Sequence, residues 1–112
     1  MKKSAIDFSK NYDVIGPEDG APIIFAHGGG SSRVMFIHHA NMMVKQKGYR
    51  CYLFDFPGHS SRLNEECNID ACVNVAYQMA QIATNNDPHH RKPLYIGLSF
   101  GGMFIFFIYV EI

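Results

Sequence analysis

The stretch Leu94-Tyr95-Ile96-Gly97-Leu98-Ser99-Phe100-Gly101-Gly102 decides the fold. Leu94 to Leu98 is a short apolar run of strand length, and an apolar stretch of helix length follows it. Between a strand and a helix, G-x-S-x-G is the context in which a serine is presented as a nucleophile. The serine sits in a strained tight turn, so the positions two before and two after it, Gly97 and Gly101, must lack side chains. Such a turn lifts Oγ beyond the sheet edge, and the helix start behind it offers backbone N–H groups and a positive dipole end. Taken alone, the pattern also reads as a glycine-rich turn with an incidental serine.

Working outward, apolar runs alternate with amphipathic stretches. Pro22 to Ala26 is a buried-strand candidate between Gly20 and Gly28. Ser31 or Ser32 is placed to cap a helix running to about Lys47, with Val34, Ile37, Ala40 and Val44 on one face. Gly48 stops it, and Lys45 and Lys47 suit its negative end. Tyr49 to Phe54 is a second strand, closed by Pro57-Gly58. Asn68 caps a second helix with Asp70 in its first turn, the stripe Ile69, Cys72, Ala76, Met79 and Ala83 facing in, and Asn74, Tyr77, Gln78 and Gln81 facing out. Asn85 to Pro93 is a polar loop, and Phe8 to Ile15 can add an edge strand. This rhythm implies parallel βαβ units with right-handed crossovers, hence an α/β fold with a mainly parallel sheet of three to four strands flanked by helices.

Two further motifs follow strands. His27-Gly28-Gly29-Gly30 comes directly after Pro22 to Ala26. Glycines there let backbone N–H groups turn toward a developing oxyanion, and the motif alone also fits a flexible loop. A dinucleotide fingerprint fails because Arg33 stands where its third glycine belongs, and a phosphate loop fails because no Gly-Lys-Ser/Thr follows. Asp55-Phe56-Pro57-Gly58-His59-Ser60 follows the next strand and by itself is a turn.

In order and spacing, these three motifs together resemble the α/β-hydrolase family, over about residues 12 to 110. Ser60 departs from the family's usual glycine. The resemblance implies a serine ester or acyl hydrolase architecture. Ser99 matches the nucleophile, and the backbone N–H of Phe100 matches one oxyanion donor. Gly28 or Gly29 matches the other donor, and His27, Gly30, Gly97, Gly101 and Gly102 are supporting motif positions. His27 shapes its loop and is not the base, and Asp55 is structural, not the triad acid. The family order is Ser, then Asp or Glu, then His. After Ser99 come one acid, Glu111, and no histidine. Glu111 lies roughly 18 Å along the following helix, too far to orient a base. The expectation is a single truncated domain over 1–112 that lacks the C-terminal strands, the acid and the base. Alone it is a poor hydrolase, inactive or a fragment of a longer one. The implied partner is a small-molecule ester or other acyl substrate, with no cofactor.

Composition narrows the alternatives. The 112 residues carry 10 Lys and Arg against 10 Asp and Glu, which argues against nucleic acid or an acidic membrane as partner. Apolar residues at 47% and charged residues at 18% argue against disorder. Cys51, Cys67 and Cys72 are odd in number without C-x-x-C, so neither a disulfide framework nor a zinc ribbon is indicated. The pairs His38-His39 and His89-His90 make poor chelates, so no metal is expected. His59 is expected to be structural, with a place near a pocket rim as the alternative. Asp7, Lys10 and Asp13 interrupt any signal-peptide apolar region, so a cytoplasmic chain is expected. Leu94 to Ile112 has a single charge and meets the length criterion for a membrane span, which makes an anchored small protein one alternative. A non-catalytic interaction module is another.

Two geometric expectations follow. The family resemblance implies the sheet order edge strand, Tyr49–Phe54, Pro22–Ala26, Leu94–Leu98, leaving an open edge at Leu94–Leu98 that invites self-association. Ser99 Oγ should lie within about 10 Å of the Gly28–Gly29 backbone.

Overall fold

A computed structural model describes residues 11–104. Four strands form one sheet: β1 (Tyr12–Ile15), β2 (Pro22–Ala26), β3 (Arg50–Phe54) and β4 (Leu94–Gly97). Their order is β1-β3-β2-β4, as the family resemblance implied. β2 pairs in parallel with β3 and with β4, and β1 runs antiparallel along β3. The expected edge strand is present from Tyr12; its Phe8–Lys10 portion lies outside the described residues.

Helix α1 (Ile37–Lys47) covers one face of the sheet and α2 (Ile69–Asn85) the other. A strand covered on both faces needs apolar residues at every position, and all five residues of β2 are buried. Ile23 and Phe25 of β2, with Cys51 and Leu53 of β3, pack toward Ala40, Met43 and Val44 of α1. The alternate residues Ile24, Ala26, Tyr52 and Phe54 pack toward Cys72, Ala76, Met79 and Ala83 of α2.

The first helix departs from its sequence reading. A 3-10 segment, Arg33–Phe36, precedes α1, and Ser32 makes no side-chain cap bond. Arg33 N–H instead donates to the Asp55 carboxylate at 2.8 Å, so an acceptor from a neighbouring loop holds the helix entry. A 3-10 turn advances 120° per residue, not 100°, and the inward stripe becomes the buried Ala40 with the half-buried Phe36, Met43 and Val44, while Val34 and Ile37 are exposed. In α2, Asn68 caps as expected, its Oδ1 accepting from Ala71 N–H at 2.8 Å. Ile69 is exposed, however, because the buried face centres on Cys72, Val75, Ala76, Met79, Ala80 and Ala83. Tyr77 and Gln78, expected outside, are half-buried.

β4 ends at Gly97, one residue short of the expected run. A 3-10 turn, Ser99–Phe104, follows where a helix was expected, and Glu111 lies outside the described residues. The apolar stretch considered as a membrane span therefore opens as a strand and a turn. Among the described residues no helix is long and apolar enough to cross a membrane.

Candidate active site

The turn after β4 is built by backbone contacts. Leu98 N–H still donates to Ala26 O at 3.2 Å, prolonging the sheet pairing by one bond. The chain then reverses at Ser99, which takes φ +52°, a left-handed conformation that costs a non-glycine residue roughly 1–2 kcal/mol. Gly101 N–H closes the turn onto Leu98 O at 3.0 Å, and the buried Tyr95 hydroxyl donates to Gly101 O at 2.6 Å. The glycines are required by contact. A Cβ on Gly97 would lie 2.7 Å from Gly102 N, and one on Gly101 would lie 2.2 Å from Ala26 O. Side chains at either position would push the turn off the end of β2.

The loop after β2 lies against this turn. A Cβ on Gly28 would sit 3.6 Å from Leu98 O, and one on Gly29 would sit 3.5 Å from Phe100 Cβ. Gly28 and Gly29 thus face the residues on either side of Ser99. Gly28 N–H points to Met35 Sδ at 3.3 Å, so a weak sulfur acceptor already engages it.

Two histidines lace this loop to the one after β3. His27 Nε2 accepts from Phe56 N–H at 3.0 Å, which leaves Nδ1 to donate to Gly28 O at 2.7 Å. His59 Nε2 accepts from Gly30 N–H at 3.0 Å, and its Nδ1 donates to Pro57 O at 3.0 Å. Each loop therefore sends one imidazole to a backbone N–H of the other. Both rings have both nitrogens committed to backbone. Burial pushes the pKa of His27 down, and the nearby His59 adds to that. The rings of His27 and His59 lie 5.0 Å apart, Phe56 packs edge-on against His27, and Phe100 stacks on His59 at 6.0 Å. This aromatic cluster joins all three motif loops at the carboxyl end of the sheet, where open α/β folds bind ligands.

Asp55 is fully buried in the same region. Its carboxylate accepts from Arg33 N–H, from the Arg33 guanidinium, and from Ser61 Oγ at 2.7 Å. Burial raises its pKa, but these donors outweigh burial and hold it below the usual carboxylate value. A carboxylate saturated in this way is a structural anchor.

The sequence reading missed several of these roles. Arg33, noted only for spoiling a nucleotide fingerprint, bridges Asp55 and Asp13. Tyr95 was one apolar letter of a strand, yet its hydroxyl pins the turn. In the polar loop after α2, the buried Asp87 binds the guanidinium of Arg91 at 2.8 Å, and Arg91 reaches Asp19 O at 2.9 Å. None of these carries a local sequence signal, because each partner is distant in the chain or lies in an irregular loop. Among the described residues no three His, Cys, Asp or Glu side chains gather as metal ligands.

Comparison with known proteins agrees with this fold. The chain superposes on the structure described as a non-heme bromoperoxidase, BpoC, from Mycobacterium tuberculosis H37Rv, with a TM-score of 0.67 and 24% identity. The match covers 88% of this chain and 35% of that one, so this chain spans about a third of that structure's length. At that identity the likeness shows the fold. No curated protein matches the sequence. The family model described as "Alpha/beta hydrolase family" matches residues 23–110, which takes in all three motif loops and both helices, and the chain belongs to that family.

Proposed function

We propose that the chain carries the nucleophile and oxyanion portion of a serine acyl hydrolase acting on a small ester or other acyl compound. The observation that carries this is the left-handed Ser99, held at φ +52° by glycine contacts on both sides. Ser60 and His90 also take a left-handed φ, so what supports Ser99 is that its strained turn follows β4 directly and is flanked by Gly97 and Gly101, where no side chain fits. Ser99 Oγ attacks the acyl carbonyl, and the oxygen that becomes negative is received by Phe100 N–H and a second donor from the loop after β2. Gly29 suits that second role better than Gly28, whose N–H is drawn to Met35. His27, Gly30 and His59 position the loop.

A serine hydroxyl needs a base to become a strong nucleophile. The two imidazoles nearest the motifs both spend their ring nitrogens on backbone, so neither serves. In this reading the base and its carboxylate partner come from residues that complete the family's triad. A second reading, a non-catalytic interaction module, is favoured by the sheet edge. Among the described residues β4 is the last strand on its side, and Leu94 and Leu98 are 52% and 50% exposed. An exposed apolar flank on an edge strand invites pairing with a second copy of the chain.

The test is aryl-ester hydrolysis by the 112-residue chain and its Ser99→Ala variant, alone and mixed with the C-terminal portion of a complete relative. Feeble turnover alone, unchanged by the substitution, and a Ser99-dependent gain on mixing are expected. Ordinary turnover by the chain alone, on the order of 1–10³ per second and abolished in Ser99→Ala, would overturn the assignment of an external base. A stable mixed complex with no Ser99-dependent rate would overturn the hydrolase reading.

A further inference from the structure

The thiols of Cys67 and Cys72 take no part in the candidate site described above. Cys67 is exposed, in the irregular run just before the Asn68 cap, and Cys72 is buried one turn into α2. Their Sγ atoms are 3.9 Å apart, which is van der Waals contact for two sulfurs. A disulfide requires about 2.05 Å. Cys72 is fixed by its helix and by the core, so the exposed Cys67 side chain must close the gap. Cys67 also has a second neighbour. A Cβ on Gly58 would lie 2.8 Å from Cys67 Cβ, so Cys67 packs directly on the Gly58 turn. That turn, with Gly58 at φ +79°, presents His59, whose Nε2 takes the Gly30 N–H at 3.0 Å.

We propose that Cys67 and Cys72 are a redox-modifiable thiol pair that closes into a reversible intramolecular disulfide by exchange with a small-molecule disulfide, and that closure is felt at the Gly58–His59 turn. In the first step Cys67, as its thiolate, attacks one sulfur of the small disulfide. A Cys67 mixed disulfide forms and one small thiolate leaves. In the second step Cys72 attacks Cys67 Sγ, the mixed bond breaks, and the second small thiolate departs. The two protein thiol protons end on the two released thiols, so two protein thiols are oxidised and one small disulfide is reduced. Burial and the Cys67 sulfur push the Cys72 thiol up to about 12. Cys72 is therefore the slow second nucleophile, and Cys67 is the sulfur that an oxidant reaches. Cys51 is buried on the other side of the sheet and takes no part. The pair needs neither Ser99 nor an acyl substrate.

The experiment equilibrates the 112-residue chain with mixtures of oxidised and reduced glutathione, then alkylates free thiols and maps them by mass. The expected product has lost two hydrogens, keeps one alkylatable thiol of its three at Cys51, and is restored by dithiothreitol. The amide resonances of Gly58 and Gly30 are expected to shift with oxidation, and those of α1 to stay in place. Cys67→Ser should abolish the loss of hydrogens. A stable glutathione adduct on Cys67 with Cys72 still alkylatable would overturn the proposal, and so would a Cys67-linked dimer. A disulfide that leaves Gly58 and Gly30 unmoved would overturn its transmission to the turn. The wild-type map decides the pairing even if a serine variant folds poorly.

Discussion

Truncating Asp55 to alanine should be among the most destabilising changes outside the apolar core. The carboxylate is wholly buried and serves four donors: Arg33 N–H at 2.8 Å, the Arg33 guanidinium, Ser61 Oγ at 2.7 Å and, more weakly, Ser61 N–H at 3.4 Å. Removing one member of a buried ion pair costs roughly 3–5 kcal/mol, because the survivor stays desolvated. Arg33 is not fully stranded here, since its side chain is 19% exposed and keeps Asp13 at 2.9 Å. The low end, about 3 kcal/mol, is therefore expected for Asp55→Ala. With a urea slope of about 1.5 kcal/mol per molar for a small domain, the unfolding midpoint should fall by about 2 M. Asp13→Ala breaks only the more exposed arm and should cost at most about 1 kcal/mol. Acid supplies a second readout. The folded pKa of Asp55 lies below its unfolded value, so its stabilisation is fully present above about pH 3.9 and lost as pH falls through the folded value. In Asp55→Asn that part of the acid sensitivity should vanish. A midpoint shift in Asp55→Ala no larger than in Asp13→Ala would refute the claim that this carboxylate anchors the helix entry and the loop after β3.

Gly101→Ala should cost about 3 kcal/mol or more in urea unfolding, because its Cβ would meet backbone at 2.2 Å and overpacking against backbone is not relieved by rotamer change. Gly28→Ala, with only an ordinary 3.6 Å contact, should remain folded, and comparable losses in the two variants would show that close approach is not what selects Gly101. Ser99→Gly should be more stable than Ser99→Ala by about 1 kcal/mol, since glycine accepts φ +52° without the steric cost; equal melting of the two would argue against a strained turn. His27 is buried and its pKa is pushed down, so the unfolded chain binds a proton that the folded chain refuses. Stability should then decline as pH drops below about 6.5, and His27→Gln should flatten that slope between pH 7.5 and 5.

How far the sequence reaches is clearest at the strands and at the elbow. β2 is a continuous apolar run, and so is β3 after Arg50, as central strands covered on both faces must be. The G-x-S-x-G spacing already named the serine whose backbone turns left-handed, since the two glycines and the strained residue are a local steric requirement. Asn68 was legible as a cap for the same reason: the cap and the N–H it accepts lie three residues apart. The order β1-β3-β2-β4 came through the family resemblance that the motifs carry, with no local signal in the strands themselves.

Tertiary structure decided whatever depends on partners far apart in the chain. Ser32 had the right residue type for a cap, but Asp55, from the loop after β3, took the Arg33 N–H instead and a 3-10 turn rotated the buried stripe. The reciprocal bonds of His27 to Phe56 N–H and His59 to Gly30 N–H exist only because two strands are neighbours in the sheet. Composition and spacing specify which residues can be strand, cap or elbow. Which donor meets which acceptor is set by the packing that brings distant segments together, where a buried polar group must find whatever partner the fold leaves beside it.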